Sequence, residues 1–288
     1  MSRTVAVITG ASSGIGATFA EKLAPWHDLV LVARRKAKLD EQAHQLHTRF
    51  GASVDVIEAD LTKDTDLTTV ADRIAGDDRL ALLVNNAGFG TKKRFWEASL
   101  DSQEQMHRLH VMATVRLCHA ALRKMVERDY GGIINVSSVA AYIRGQGSTS
   151  YCATKSWMSV FTEGLYVELR GIQSNVKVQS LCPGFTYSEF HDVMGLDRSK
   201  LAPAAFWLSA DEVVEASLAG LEKGKLFVIP GWRYRLLTAL VSKLPSGVRV
   251  LVESARRGRS RVSLPNAETN GPGKSIEQGT RSDHSALN

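Results

Sequence analysis

Over its first 230 residues the chain alternates two textures. Short runs rich in Val, Ile and Leu are separated by longer stretches whose apolar residues recur every three or four positions. The short runs are TVAVIT (4–9), DLVLVA (28–33), SVDVIEA (53–59), LALLVNN (80–86), GGIINVS (131–137), NVKVQSLC (175–182) and KLFVI (225–229). A run that is apolar on both alternate faces has no solvent side, as expected of a strand covered by helices above and below, and the longer stretches carry the helical period. The pattern predicts a doubly wound α/β domain over residues 1–230, a βαβ series around a parallel sheet with helices on both faces.

Two segments depart from the alternation. FTYSEFHDVMGLDRSKLAPAAFWLSA, about 185–210, mixes aromatic and polar residues and is a candidate substrate lid. The second is PGWRYRLLTALVSKLPSGVRVLVESARRGRSR, residues 230–261. As a helix it gathers Trp232, Leu236, Leu237, Leu240, Val241 and Leu244 on one side with Thr238 and Ser242 opposite, and PSG at 245–247 breaks it before a second apolar-basic run. We expect a basic amphipathic helical extension over 231–257. From 258 onward large apolar residues nearly vanish, so burial cannot offset the ordering entropy and a disordered tail is expected over 258–288.

Composition refines this picture. At 288 residues and 44% hydrophobic the chain can bury one large core. No apolar run approaches the roughly 20 residues needed to cross a bilayer, and MSRTVAVITG enters a strand-like run without a signal-peptide layout, so a cytoplasmic location is expected. Cys118, Cys152 and Cys182 are odd in number and far apart, which favours free thiols over disulfides or a zinc site. The net charge of +6 is localised: from residue 226 onward ten Lys and Arg face four Asp and Glu, and residues 1–225 balance. A nucleic-acid-binding domain would carry its basicity within the fold, so nucleic acid is not an expected partner. The basic extension has two readings. Its apolar face, with Trp, Tyr and flanking arginines, lies weakly on an anionic membrane and leads an apolar substrate to the cleft; or it covers the cleft or a subunit interface, with the arginines solvated.

The candidate chemistry follows the strand ends. The first strand runs into TGASSGIG, and glycines at 10, 14 and 16 just before a helix let a pyrophosphate approach backbone N–H groups at the helix N-terminus. At the end of the second strand, where an acid would accept a ribose 2′-hydroxyl, stand Arg34 and Arg35. A guanidinium pairs with a 2′-phosphate through a planar fork, the plainer alternative being solvated charges at a strand end. Asp60 in EADLT suits the adenine amino group, and NNAG, Asn85 to Gly88, follows the fourth strand. In YCATK, Tyr151 and Lys155 stand four apart on one helical face, thirteen residues after Ser138.

TGASSGIG, NNAG, Ser138, YCATK and the PG at 183–184 resemble, in order and spacing over residues 4 to about 230, the short-chain dehydrogenase/reductase family of the classical type. The resemblance implies a seven-stranded Rossmann sheet of order 3-2-1-4-5-6-7, hydride transfer between NAD(P) and an alcohol or carbonyl, and a homodimer or homotetramer. It implies cofactor contacts at Gly10, Ser12, Ser13, Gly14, Ile15, Gly16, Arg34, Arg35, Asp60, Leu61, Asn86, Ala87, Gly88, Tyr151, Lys155, Pro183 and Gly184, with the hydroxyls of Thr186 and Ser188 near the nicotinamide carboxamide. Tyr151 is then the general acid/base, Ser138 holds the developing alkoxide, and Lys155 lowers the tyrosine pKa and holds the nicotinamide ribose. Ser137 adjoins Ser138, but the customary interval to the tyrosine favours Ser138.

One position departs from the family pattern. His110, in RLHVMATVRL, stands where the family usually has an asparagine that holds a water between the lysine and solvent. Either the imidazole holds such a water or it packs in its helix. His107, one turn earlier, lacks further ligands for a metal. Phe185, Tyr187, Phe190, Phe206 and Trp207 make the insertion aromatic, in favour of an apolar substrate or of ordinary packing. The expected protein is an NADP(H)-dependent oxidoreductase that prefers NADP(H) to NAD(H); the alternative is a non-catalytic dinucleotide sensor or scaffold with a C-terminal docking segment.

Overall fold

Each of the seven apolar runs forms a parallel strand in the computed structural model, which describes residues 3–91, 93–143, 145, 147–189 and 202–255. The strands are β1 (Thr4–Thr9), β2 (His27–Ala33), β3 (Val54–Glu58), β4 (Leu80–Asn85), β5 (Gly132–Val136), β6 (Lys177–Leu181) and β7 (Phe227–Val228). They form one sheet in the order β3-β2-β1-β4-β5-β6-β7. The last run, KLFVI, shortens to two residues because β6 pairs only Ser180 with Phe227 and Leu181 with Val228.

The two-residue period of the strands divides the core. Val5, Val7, Val30 and Val32 point to one face, where they pack with α3 (Asp64–Ala75), α5 (Thr114–Glu127) and α6 (Thr149–Gly171). Ala6, Ile8, Leu29 and Leu31 point to the other, against α1 (Gly14–Leu23), α2 (Lys36–Phe50) and α7 (Ala210–Glu222). Local signals set the helix ends. Gly51, left-handed at φ 65°, stops α2, and Ser209 with Glu212 forms a reciprocal capping box at the start of α7.

Strand order reverses between β1 and its two neighbours, so the chain leaving β1 and the chain leaving β4 diverge and open a crevice at the carboxyl edge of the sheet. The glycine turn after β1 and NNAG after β4 leave that edge.

The insertion's two stems pair. Tyr187 N–H donates to Leu208 O at 2.9 Å and Leu208 N–H to Phe185 O at 2.9 Å, with a parallel bridge between Thr186 and Leu208. The middle of the expected lid, residues 190–201 with Phe190, and the expected tail over 258–288 lie outside the described residues. The extension forms two helices, α8 (Trp232–Lys243) and α9 (Ser246–Ala255). α8 turns Tyr234 and Thr238 inward, and Trp232, Leu236 and Leu240 outward.

Candidate active site

The amino end of α1 faces the crevice. Ser13 occupies its cap position without a side-chain cap bond, and the first turn holds no acid. The leading N–H groups and the positive end of the helix are therefore left for an anion. Gly14 has a φ of 54°, and a methyl group there would meet Ser188 Cβ at 2.8 Å, so the loop after β6 rests directly on the glycine turn. Asn86 braces the turn from behind. Its amide donates to Thr9 O at 2.9 Å and Gly10 O at 3.2 Å, while Thr9 Oγ1 accepts the N–H groups of Asn86 and Ala87. The Asn86 side chain is thus spent on the scaffold, leaving the cradle's backbone to meet a ligand.

Arg35 reaches from the end of β2 across this loop. Its Nη2 donates to Ser12 Oγ and Ser13 Oγ, both at 2.9 Å, and its Nη1 pairs with Glu189 at 2.7 Å. Lys38 holds the other oxygen of Glu189 at 2.7 Å. Lys38 and Arg35 draw the Glu189 carboxyl down to about 2. Arg34 is exposed next to it. Asp60, with buried Leu61 beside it, accepts both the N–H and the hydroxyl of Thr62 on one oxygen, in the turn that starts α3.

The second cluster stands where β5 meets α6. Ser137 is buried and donates to Lys155 O at 2.7 Å. Ser138 instead turns to the crevice: its hydroxyl accepts Ala140 N–H at 3.1 Å and is hydrogen-bonded to Tyr151. The two adjacent serines are thereby separated into a scaffold group and a site group. Lys155 Nζ donates to Val136 O at 2.8 Å and lies 5.9 Å from the centroid of the Tyr151 ring.

Loss of solvent dominates the electrostatics here. It pushes the Tyr151 phenol up to about 12, against the Ser138 hydrogen bond, and brings the Lys155 ammonium down to about 8. Desolvation of the phenolate is the largest influence on Tyr151, and the phenol is held protonated at neutral pH.

His110 lies in a π-helical turn, Arg108–Ala113, inserted between α4 (Leu100–His107) and α5. Such turns often sit at functional sites. The ring is fully buried, with both nitrogens in protein hydrogen bonds: Nε2 accepts Phe89 N–H at 3.2 Å, and Nδ1 meets Thr154 Oγ1 at 2.9 Å. Because Nε2 accepts, the neutral ring carries its proton on Nδ1 and donates to Thr154, whose hydroxyl donates onward to Tyr151 O at 3.0 Å. Burial, then the charges of Lys155 and His107, hold the ring well below the usual histidine range, so it remains neutral. Through Thr154 the ring has a specific link to the backbone of Tyr151.

Past β6, Pro183 O accepts Val139 N–H at 3.0 Å, tying this loop to the Ser138 turn. Thr186 is buried and donates to Gly184 O at 3.1 Å, and Ser188 lies over Gly14. Trp207 packs between Phe185 and Tyr187, at centroid distances of 5.3 and 5.1 Å, while Phe206 lies against Tyr234. Two residues escaped the sequence reading. Glu189 is one. The other is Tyr234, whose ring fills the space a side chain on Gly184 would need, and whose hydroxyl accepts Phe185 N–H at 3.0 Å and donates to Phe206 O at 2.6 Å. Removing that hydroxyl takes a partner from two backbone groups, at a cost of about 1–3 kcal/mol.

Comparison with known proteins gives a consistent result. The sequence profile described as short chain dehydrogenase matches residues 4–198. A solved short-chain dehydrogenase from Sphingobium yanoikuyae in complex with NADPH is 33% identical, covering 91% of this chain and 99% of that one, with a TM-score of 0.77. The bulky-bulky ketone specific alcohol dehydrogenase from Comamonas testosteroni is 33% identical over 85% of this chain and 96% of its own, with a TM-score of 0.72. Among curated relatives, 17-beta-hydroxysteroid dehydrogenase type 3 of Danio rerio is 31% identical over 84% of this chain and 78% of its own length.

Proposed function

The chain belongs to the short-chain dehydrogenase family of oxidoreductases, and from that premise we propose that it interconverts a ketone or aldehyde and its alcohol on a largely apolar molecule, with NADP(H) preferred over NAD(H). The hydrogen bond between Ser138 and Tyr151, with the Lys155 ammonium alongside, carries this reading. The glycine turn, the open amino end of α1 and the Arg35 fork across Ser12 and Ser13 fit a dinucleotide bearing a 2′-phosphate.

When bound, the reduced nicotinamide supplies hydride to the carbonyl carbon. Tyr151 gives its phenolic proton to the carbonyl oxygen, and Ser138 donates a hydrogen bond to that oxygen as charge develops. A phenol kept protonated by its surroundings is an acid ready for reduction, whereas oxidation of an alcohol needs the phenolate and gains with alkaline pH. Lys155 presents its ammonium to the same region and steadies negative charge there. His110 is a positioning residue: through Thr154 it fixes the carbonyl of Tyr151 in the first turn of α6. Val160 and Val167 are exposed on α6 at a spacing of seven, an apolar face that a second copy would cover in a homodimer or homotetramer.

The test is a panel of ketones and aldehydes, small to bulky, offered with NADPH and separately with NADH and followed by nicotinamide absorbance. Turnover of apolar carbonyls with NADPH supports the reading. No turnover across the panel, or a tenfold preference for NADH, about 1.4 kcal/mol, overturns it.

A further inference from the structure

The outward face of α8 and α9 is apolar, basic and uncovered by the rest of the described chain. Trp232, Leu236 and Leu240, four residues apart, are 60%, 54% and 58% exposed, and the stripe continues through Val248, Val250 and Leu251. Burial does not explain these residues, because α8 is held to the domain from its other side by Tyr234 and Thr238. Arg233, Arg235 and Lys243 are exposed among them, and the sequence of residues 230–255 holds four Lys and Arg to one acid. A twofold contact buries the same patch of both copies and would bring two net-basic patches together. A second such patch leaves the same edge of the sheet: after β4, Arg94 lies over the ring of Trp96, and Phe95, Trp96 and Leu100 are exposed. Both patches follow strands that end at the edge onto which the site opens.

We propose that this face seats the protein on an anionic lipid surface, with the leucines and Trp232 in the headgroup boundary and the arginines on lipid phosphates. An apolar substrate dissolved in the bilayer would then enter the crevice without crossing water. The full chain is mixed with vesicles of phosphatidylcholine alone or with phosphatidylserine and floated on a gradient, beside a folded Leu236→Glu/Leu240→Glu variant. The wild type should float with the anionic vesicles at 0.1 M salt and be released toward 1 M, where the screening length falls from about 10 Å to about 3 Å. The variant should stay behind while turning over a water-soluble carbonyl at the wild-type rate. No wild-type flotation at low salt, or equal flotation of the variant, overturns the proposal. So does a wild-type dimer that the variant splits while its flotation is unchanged, since the face is then a subunit interface.

A separate observation deepens the cofactor reading and rests on it. Glu189 lies across the Arg35 and Lys38 cations, the groups suited to a 2′-phosphate. We infer that Glu189 is a cofactor-selecting residue, an internal carboxylate that holds this anion seat until a 2′-phosphate displaces it. Dissociation constants for NADPH and NADH are measured on the wild type and on Glu189→Gln. The variant should bind NADPH roughly two- to fivefold more tightly, the scale of one exposed ion pair, with NADH little changed. If the wild type prefers NADPH but the variant binds it more weakly, or shifts both cofactors alike, the role of Glu189 fails alone. If the wild type prefers NADH, the cofactor reading fails and this inference with it.

Discussion

Arg35 and Lys155 are cations on the same crevice in different electrical surroundings. The Arg35 side chain is 43% exposed and shares its charge among two serine hydroxyls and a carboxylate. Lys155 is buried, donates to a backbone carbonyl, and has lost part of its hold on its proton. The first environment is screened and exchangeable, which suits recognition of a ligand that comes and goes. The second is dry and preorganised, which suits chemistry, because a charge there acts on its neighbours at low dielectric.

Three changes separate the two ends. Tyr151→Phe should have the largest effect, lowering turnover by about 10²–10⁴-fold, the usual contribution of a positioned proton donor. Cofactor binding, followed by nicotinamide fluorescence, should be retained; turnover that survives assigns the proton to another group. Next, Arg35→Asp should weaken NADPH by roughly 10- to 100-fold, the loss of charge-assisted hydrogen bonds, and leave kcat with saturating NADH intact. An equal loss for both dinucleotides breaks the division between recognition and chemistry.

The mildest test is pH. Lys155 is charged below about 8 and neutral above it, so kcat/KM for carbonyl reduction with NADPH should be level at neutral pH and fall as pH rises through that value. Tyr151, at about 12, keeps its proton across this range and does not produce the limb. Salt should weaken NADPH binding at Arg35 while leaving the position of this limb nearly unmoved. A limb that moves with salt as much as the affinity does would place Lys155 in the screened class.

Much of the fold was legible because parallel strands carry their own sign: residues apolar at every position, such as Val5 to Ile8, have no choice but a covered sheet. The choice of Ser138 over Ser137 came from the family resemblance, and in three dimensions Ser137 bonds to a backbone carbonyl. Other features needed the folded chain. Arg35 and Glu189 are 154 residues apart, and no local pattern links them. Helical periodicity found the apolar side of α8 but could not say which side the domain would take. That was decided by Tyr234, which fits the bare surface of Gly184 and finds two backbone partners there. His110 was visible as a departure, yet its partners, Phe89 N–H and Thr154, come from separate segments.

The paired stems at Thr186 and Leu208 bear on how such a protein changes over time. With the exit and return of the insertion joined by backbone hydrogen bonds, the residues between form a cassette whose ends are already closed. Doubling the length of a flexible loop adds only about 0.6 kcal/mol of closure cost. A change of length between the stems need not pass into the sheet or the Ser138–Tyr151 pair, whereas Ser188 on Gly14 and Glu189 on Arg35 tie the outgoing stem to the phosphate cradle.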